Sequence, residues 1–171
     1  MLTKTDIEKY FMAEKQVSLI FFIIGIVAVA LALVFFFVLR TQLYKGAAIP
    51  LLLVGVIELV IGFSVYKRSD GDRLRNVYAY DMNPQQLKEQ ELPRIQKVVK
   101  NFTLYKWVEI ALLITGIVLI VLYRARPEKA FWVGLGITLA VQTLLMLGTD
   151  YSAEKRAKDY SSKLEAFVKT T

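Results

Sequence analysis

The sequence predicts an all-α integral membrane protein, with four transmembrane helices in a bundle and the first, third and fourth helices extended into the cytoplasm. Three observations support this. Of 171 residues, 56% are hydrophobic and the mean hydropathy is +0.45, whereas soluble domains average roughly 45–50% apolar residues. Four apolar windows, 17–38, 47–66, 107–123 and 130–149, have lengths that suit a hydrocarbon core of ~30 Å at ~1.5 Å rise per residue. Charged, amphipathic segments at 5–16, 67–106 and 150–169 all fall on one side of those windows, so residues 1–171 read as a single membrane domain.

At the start, MLTKTDIEKYFMAEKQ mixes acids with lysines, and the apolar run behind it exceeds a signal-peptide core and lacks a small-residue cleavage site. No cleavage is expected. Thr5 and Glu8 have capping-box spacing and open a helix that runs straight into the first span. In the second span, LLLVGVIELVIGF, one carboxylate lies among aliphatic residues. Gly55, Glu58 and Gly62 share a face, and such a small-residue stripe is expected against another helix. The stretch RSDGDRLR, Arg68 to Arg75, reads as a turn, because Gly and Asp tolerate turn geometry. It also opens like the Asp-Gly-x-x-Ala-Arg signature of enzymes that join nucleotide-linked headgroups to lipids. Leu74 in place of the alanine, and the missing downstream glycine and aspartates, exclude that signature.

For the third helix, Asn83 is a candidate cap with Pro84 at the first helical position, and Pro93 can restart a helix in the same way. Ile95, Val98, Val99 and Phe102 follow i, i+3, i+4, i+7 spacing. An unbroken helix from Arg94 to Arg124 would be about 46 Å long, well beyond the bilayer core. The fourth helix carries Gly134, Thr138 and Gln142 on one face, then a stripe of Ala153, Ala157, Tyr160, Leu164, Phe167 and Val168. These extensions are expected to pack on each other or on a partner.

Candidate functional residues are few. Glu58, Thr115 and Gln142 are at comparable depth and predict an intramembrane polar layer. Glu109 and Asp150 lie near the boundary, where they are expected to snorkel or to pair with Lys106, Lys67 or Lys155. The two hairpins also look alike. IIGIVAVAL (Ile23 to Leu31) resembles ITGIVLIVL (Ile114 to Leu122), and placing Gly46 against Ala130 sets Glu58 against Gln142, as in a parallel repeat.

With no His and no Cys, disulfides, thiolate chemistry and imidazole-ligated metals are excluded, and no spacing groups the remaining reactive side chains into a nucleophile and base. A non-enzyme without cofactor or metal is expected. The net charge of +7 is mixed in sign and adjoins the spans, which suits anionic lipid headgroups rather than nucleic acid. Seventeen of the 22 Lys and Arg residues fall with the termini and the 67–106 segment, so the positive-inside rule places those parts in the cytoplasm of a bacterial inner-membrane protein. Aromatic anchors mark the span ends: Tyr66, Tyr105, Trp107 and Tyr151 on one side, Tyr123, Phe131 and Trp132 on the other. The expected function is interaction with a protein partner or a second copy, as an accessory subunit or as an immunity-type protein against a membrane-inserting toxin. The alternative is a small proton-coupled transporter using Glu58. In architecture the chain resembles the small four-helix multidrug exporters, which use one membrane glutamate. It differs in placing the acid in the second helix and in its long extramembrane segments.

Overall fold

A computed structural model describes residues 2–170. The first helix, α1 (Lys4–Val34), begins at an N-cap two residues upstream of the expected one. The Asp6 N–H donates to Thr3 Oγ1 (3.2 Å), and the Thr3 N–H donates back to Asp6 Oδ2 (2.9 Å). Thr3 and Asp6 thus supply the reciprocal bonds assigned by spacing to Thr5 and Glu8, and the helix gains half a turn. It ends in a π-helical turn, Phe35–Leu39, after which Arg40 takes left-handed backbone angles (φ 53°) and Thr41 caps α2 (Gln42–Met82). Only Arg40 and Thr41 separate the two helical segments.

The helix α2 runs without a break through Arg68–Arg75, which corrects the turn expected there. Gly71 has no left-handed φ, and nothing lies within 4 Å of where its Cβ would be, so no close approach requires a glycine. A helical Gly costs about 1 kcal/mol relative to Ala, but the flanking acids meet bases one turn on, Asp70 with Arg73 (3.6 Å) and Asp72 with Arg75 (2.7 Å). The second helix therefore outruns its apolar window as the other three do. After Asn83, a single turn Pro84–Gln86 and a π-helical turn Leu87–Glu91 lead into α3 (Leu92–Tyr123). Pro84 opens the turn as expected, but the Asn83 side chain makes no capping bond. Pro93 lacks the N–H that would bond the Glu89 carbonyl, which accounts for the irregular turn just before it. A short 3₁₀ turn, Pro127–Lys129, connects α3 to α4 (Ala130–Thr170).

Four helical stretches, Lys4–Leu39, Gln42–Met82, Pro84–Tyr123 and Pro127–Lys169, are long and apolar enough to cross a membrane. In packing order they run α1, α2, α4, α3, with α1 against α2, α2 against α4, and α4 against α3. The apolar half is held by small residues. Gly25 of α1 meets the backbone of Gly55 and Leu59, and Gly62 of α2 meets that of Ser18 and Phe22, so the Gly55/Glu58/Gly62 stripe faces α1. On the other side Gly116 of α3 meets Gly136 and Ala140. Between the hairpins, α2 and α4 run parallel and touch reciprocally: Gly46 against the Phe131 carbonyl and Leu135 nitrogen, Gly134 against the Leu43 carbonyl and Ala47 nitrogen. One constant sequence offset relates all three pairs, which makes this crossing locally two-fold.

The charged half has a conventional core. Leu2, Ile7 and Phe11, Ala79 of α2, Leu87, Ile95 of α3, and Ala157, Tyr160 and Leu164 of α4 are buried together, with Val98, Phe102, Phe167 and Val168 packed on them. Each large side chain so buried contributes roughly 1.5–3 kcal/mol. The stripes predicted on the extensions of α3 and α4 close on one another here. Tyr10 stacks on Tyr160 (4.3 Å between centroids) and Tyr80 on Phe167 (4.9 Å). Ion pairs tie the helices along the rim: Lys4 to Asp81 (2.6 Å), Lys163 to Asp6 (3.0 Å), Lys106 to Glu154 (2.6 Å), and Lys15 to Asp70.

Candidate functional site

Glu58 enters its position because the Gly55 and Gly62 contacts bring α1 and α2 together at the level of their backbones, which fixes the face of α2 between the two glycines. Its side chain lines a narrow crevice between α1, α2 and α4, together with Phe21, Ile24, Gln142, Leu145, Met146 and Thr149. The crevice has a volume of about 40 Å³, enough for two or three water-sized groups by the criterion that one water needs roughly 10–15 Å³. Glu58 is 7% exposed, and its Oε2 atom is buried without a hydrogen-bond partner among the described residues, as is Oε1 of Gln142. Thr149 sits at the charged end of the crevice, two turns beyond Gln142 on the same face of α4. Its hydroxyl donates to the Met146 carbonyl (2.9 Å).

The expected three-residue layer is therefore a pair. Thr115 does not join it: the residue is exposed on α3, and its hydroxyl donates to the Ala111 carbonyl of its own helix (2.8 Å). The physical reason is the packing order, which sets α4 between α3 and the Glu58 crevice. Periodicity placed these residues at one depth but carries no information on which helices are neighbours.

At the boundary, Glu109 is buried on α3, and neither of its carboxylate oxygens has a hydrogen-bond partner among the described residues. Of the three bases expected to pair with Glu109 and Asp150, Lys106 pairs with Glu154, which also holds Lys158 (2.6 Å). Those two ammonium groups keep the Glu154 carboxyl below its ordinary range. Among the described residues, no group of three His, Cys, Asp or Glu side chains is arranged to hold a metal ion.

A second polar cluster lies inside the charged half. Glu91, buried just before α3, receives both forks of Arg94, Nη2 to Oε1 (2.6 Å) and Nε to Oε2 (2.8 Å), and Asn76 of α2 donates to it as well (3.2 Å). The Arg94 guanidinium lies 5.3 Å over the Phe11 ring. Burial pushes the Glu14 carboxyl up, against the pull of Arg94 and Arg68, and raises the hydroxyls of Tyr10 and Tyr160 well above the usual tyrosine range. This bidentate, desolvated pair locks the geometry of the end where all four helices meet. Sequence reasoning missed it because Asn76, and Asp72 whose carbonyl accepts from it (2.8 Å), fall beside and within the stretch read as a turn. Read as one helix, their spacing of four would have put both on the same inward face.

The fold class is an all-helical chain with four membrane-length helices. The chain matches no protein-family model, and neither the curated proteins nor the solved structures yield a match.

Proposed function

We propose that the chain is a non-enzymatic interaction protein of the bacterial inner membrane, with its termini and the 67–106 segment in the cytoplasm. It serves as an accessory subunit of a larger complex, or as an immunity-type protein that captures a membrane-inserting toxin. One observation supports this above others. Leu74, Tyr78 and Met82, at i, i+4 and i+8 on the part of α2 beyond its apolar window, are 64%, 62% and 69% exposed. The stripes of α3 and α4 are buried in the core of the charged half, whereas this one faces outward. An apolar helical stripe in water marks a protein contact and suits a partner's amphipathic helix.

Lys67, Arg68 and Arg75 are exposed beside this stripe, but Arg68 is paired with Glu14 and Arg75 with Asp72, and Asp81 is exposed there as well. Charges of both signs therefore flank the stripe, and its apolar residues carry the contact. A photo-crosslinking amino acid at Tyr78, with growth under native expression, tests the reading. The expected product is one discrete adduct to a different protein, lost when Leu74 and Met82 are serine while the thermal midpoint in detergent is unchanged. Adducts only to a second copy, or none at all, refute it.

A further inference from the structure

The interaction surface on α2 makes no use of the crevice around Glu58. Glu58 and Gln142 both line that crevice, and each has a buried acceptor, Oε2 and Oε1 respectively, without a donor among the described residues. An unsatisfied acceptor is costly in any interior, and more so where no bulk water competes to bond it. Ionisable side chains at membrane depth mark ligand or ion sites by default. What the two oxygens lack in common is hydrogen, and a carboxylate adds a preference for positive charge.

Size and access narrow the ligand further. About 40 Å³ admits a head of one to three heavy atoms and is far below the roughly 300–1,000 Å³ of pockets that enclose drug-sized molecules. Of the remaining walls, Phe21, Ile24, Leu145 and Met146 are apolar, and the Thr149 hydroxyl donates to its own helix. Leu145 is 62% exposed, so the crevice opens sideways at the surface that faces lipid in the membrane reading. The site thus fits a compact donor head joined to an aliphatic tail that stays in the hydrocarbon.

We propose that the Glu58–Gln142 crevice binds a primary alkylammonium ion, its N–H groups bonded to Glu58 and Gln142 and its chain lying along Ile24, Leu145 and Met146. An ammonium group has three donors and no acceptor, which is the complement of two orphan oxygens. The same head on a lysine of a partner's membrane helix is the competing occupant. This site is independent of the α2 stripe, so either can fail without the other.

The test uses the full chain in lipid nanodiscs and dodecylammonium as the probe, measured by equilibrium dialysis against nanodiscs carrying Glu58→Leu to subtract partition into lipid. Expected is saturable uptake of about one probe per chain, weakened roughly tenfold or more in Glu58→Gln, as loss of a charge-assisted hydrogen bond implies. Dodecyltrimethylammonium has the charge and tail but no N–H, and is expected to bind at least about tenfold more weakly for the same reason. The Leu74→Ser/Tyr78→Ser/Met82→Ser chain should bind dodecylammonium as wild type does. Uptake equal to the Glu58→Leu background, or equal binding of the trimethyl probe, overturns the proposal. So does binding confined to a polyleucine membrane peptide with a central lysine, which assigns the crevice to a partner helix. Glu58→Gln is near-isosteric, so the comparison stands if Glu58→Leu does not fold. Helicity and thermal midpoint in detergent confirm that the variants compared are folded.

Discussion

Replacing Gly46 by alanine should break the joint between the two hairpins. A Cβ there would lie 1.9 Å from the Phe131 carbonyl oxygen and 2.8 Å from its carbon, where real Cβ contacts essentially never fall below 3.0 Å. Both obstructing atoms are backbone, so no rotamer change relieves the clash. The helices must part by about 1 Å, and a gap of 0.5–1 Å forfeits a quarter to a half of each dispersion contact. Overpacking of this kind costs about 1–3 kcal/mol. Gly134→Ala meets the same obstruction at Leu43, again at 1.9 Å, and should cost a similar amount.

The two clashes lie in one crossing, and a single separation of α2 from α4 relieves both. The double variant should therefore cost little more than either single, giving a coupling of about 1–3 kcal/mol where independent sites would add to within roughly 0.3–0.5 kcal/mol. Equilibrium unfolding in mixed micelles, or steric trapping in bicelles, measures all three. Gly71→Ala serves as a control, since its Cβ meets nothing and a helical Gly-to-Ala change should stabilise by up to about 1 kcal/mol. Gly46→Ala within 0.5 kcal/mol of wild type, on the scale of an ordinary surface change, refutes the argument. Strict additivity of the two alanines would show that they do not share one joint.

Other outcomes follow from the charged half and from the topology. Leu164→Ala, in the fully buried core, should cost about 2–5 kcal/mol, whereas the exposed Leu74→Ala should stay within about 0.5 kcal/mol; both are read by unfolding in detergent. Arg94→Met strands Glu91 as a buried charge and should cost about 3–5 kcal/mol, with part recovered by adding Glu91→Leu; a double-mutant cycle checks this. The Thr3 hydroxyl, with Lys163 behind it, holds the Asp6 carboxyl down to about 2 from its ordinary 3.8. A depressed carboxyl stabilises the fold above its unfolded value, so this contribution is complete above about pH 4 and lost as pH falls toward 2. Thr3→Ala should remove about 1 kcal/mol at neutral pH and move that acid loss to higher pH, as seen in thermal midpoints against pH. A cysteine at the exposed Gly71, in a chain that has no other thiol, should resist an impermeant reagent in intact cells; efficient labelling inverts the proposed topology.

The elements that were legible in the sequence are those whose signal is local. Apolar length announced four membrane-length helices, and the spacing of Ile95 with Phe102, or of Tyr160 with Leu164, announced faces that do close into a core. Arg68–Arg75 was misread because Asp-Gly-Asp speaks for a turn locally, while the partners that keep it helical include Lys15, on another helix. The Glu58–Gln142 pair was legible as two polar residues on small-residue faces. Which helices would be adjacent was not, since Thr115 satisfies the same periodicity and depth and differs only in having α4 between it and the crevice.

The likeness of the two hairpins shows the same boundary in sharper form. Across the α2/α4 crossing Gly46 is matched by Gly134, not by Ala130, so the pairing read from sequence is out by four residues. A shift of four turns a helix by only about 40°, which keeps a stripe on nearly the same face while moving it one turn in depth. Pattern comparison cannot detect that slip. The Gly25 and Gly116 motifs slip further, because the two-fold counterparts of Gly116's contacts, Gly136 and Ala140, are Ala48 and Leu52, whereas Gly25 meets Gly55 and Leu59. With the crossing as the reference, Glu58 is level with Met146, and Gln142 with Val54. The carboxylate therefore has no polar counterpart at its own height, and a repeated structural layer does not explain it. It is an acid added to one side of a locally two-fold framework, and it faces the crevice left between α1, α2 and α4.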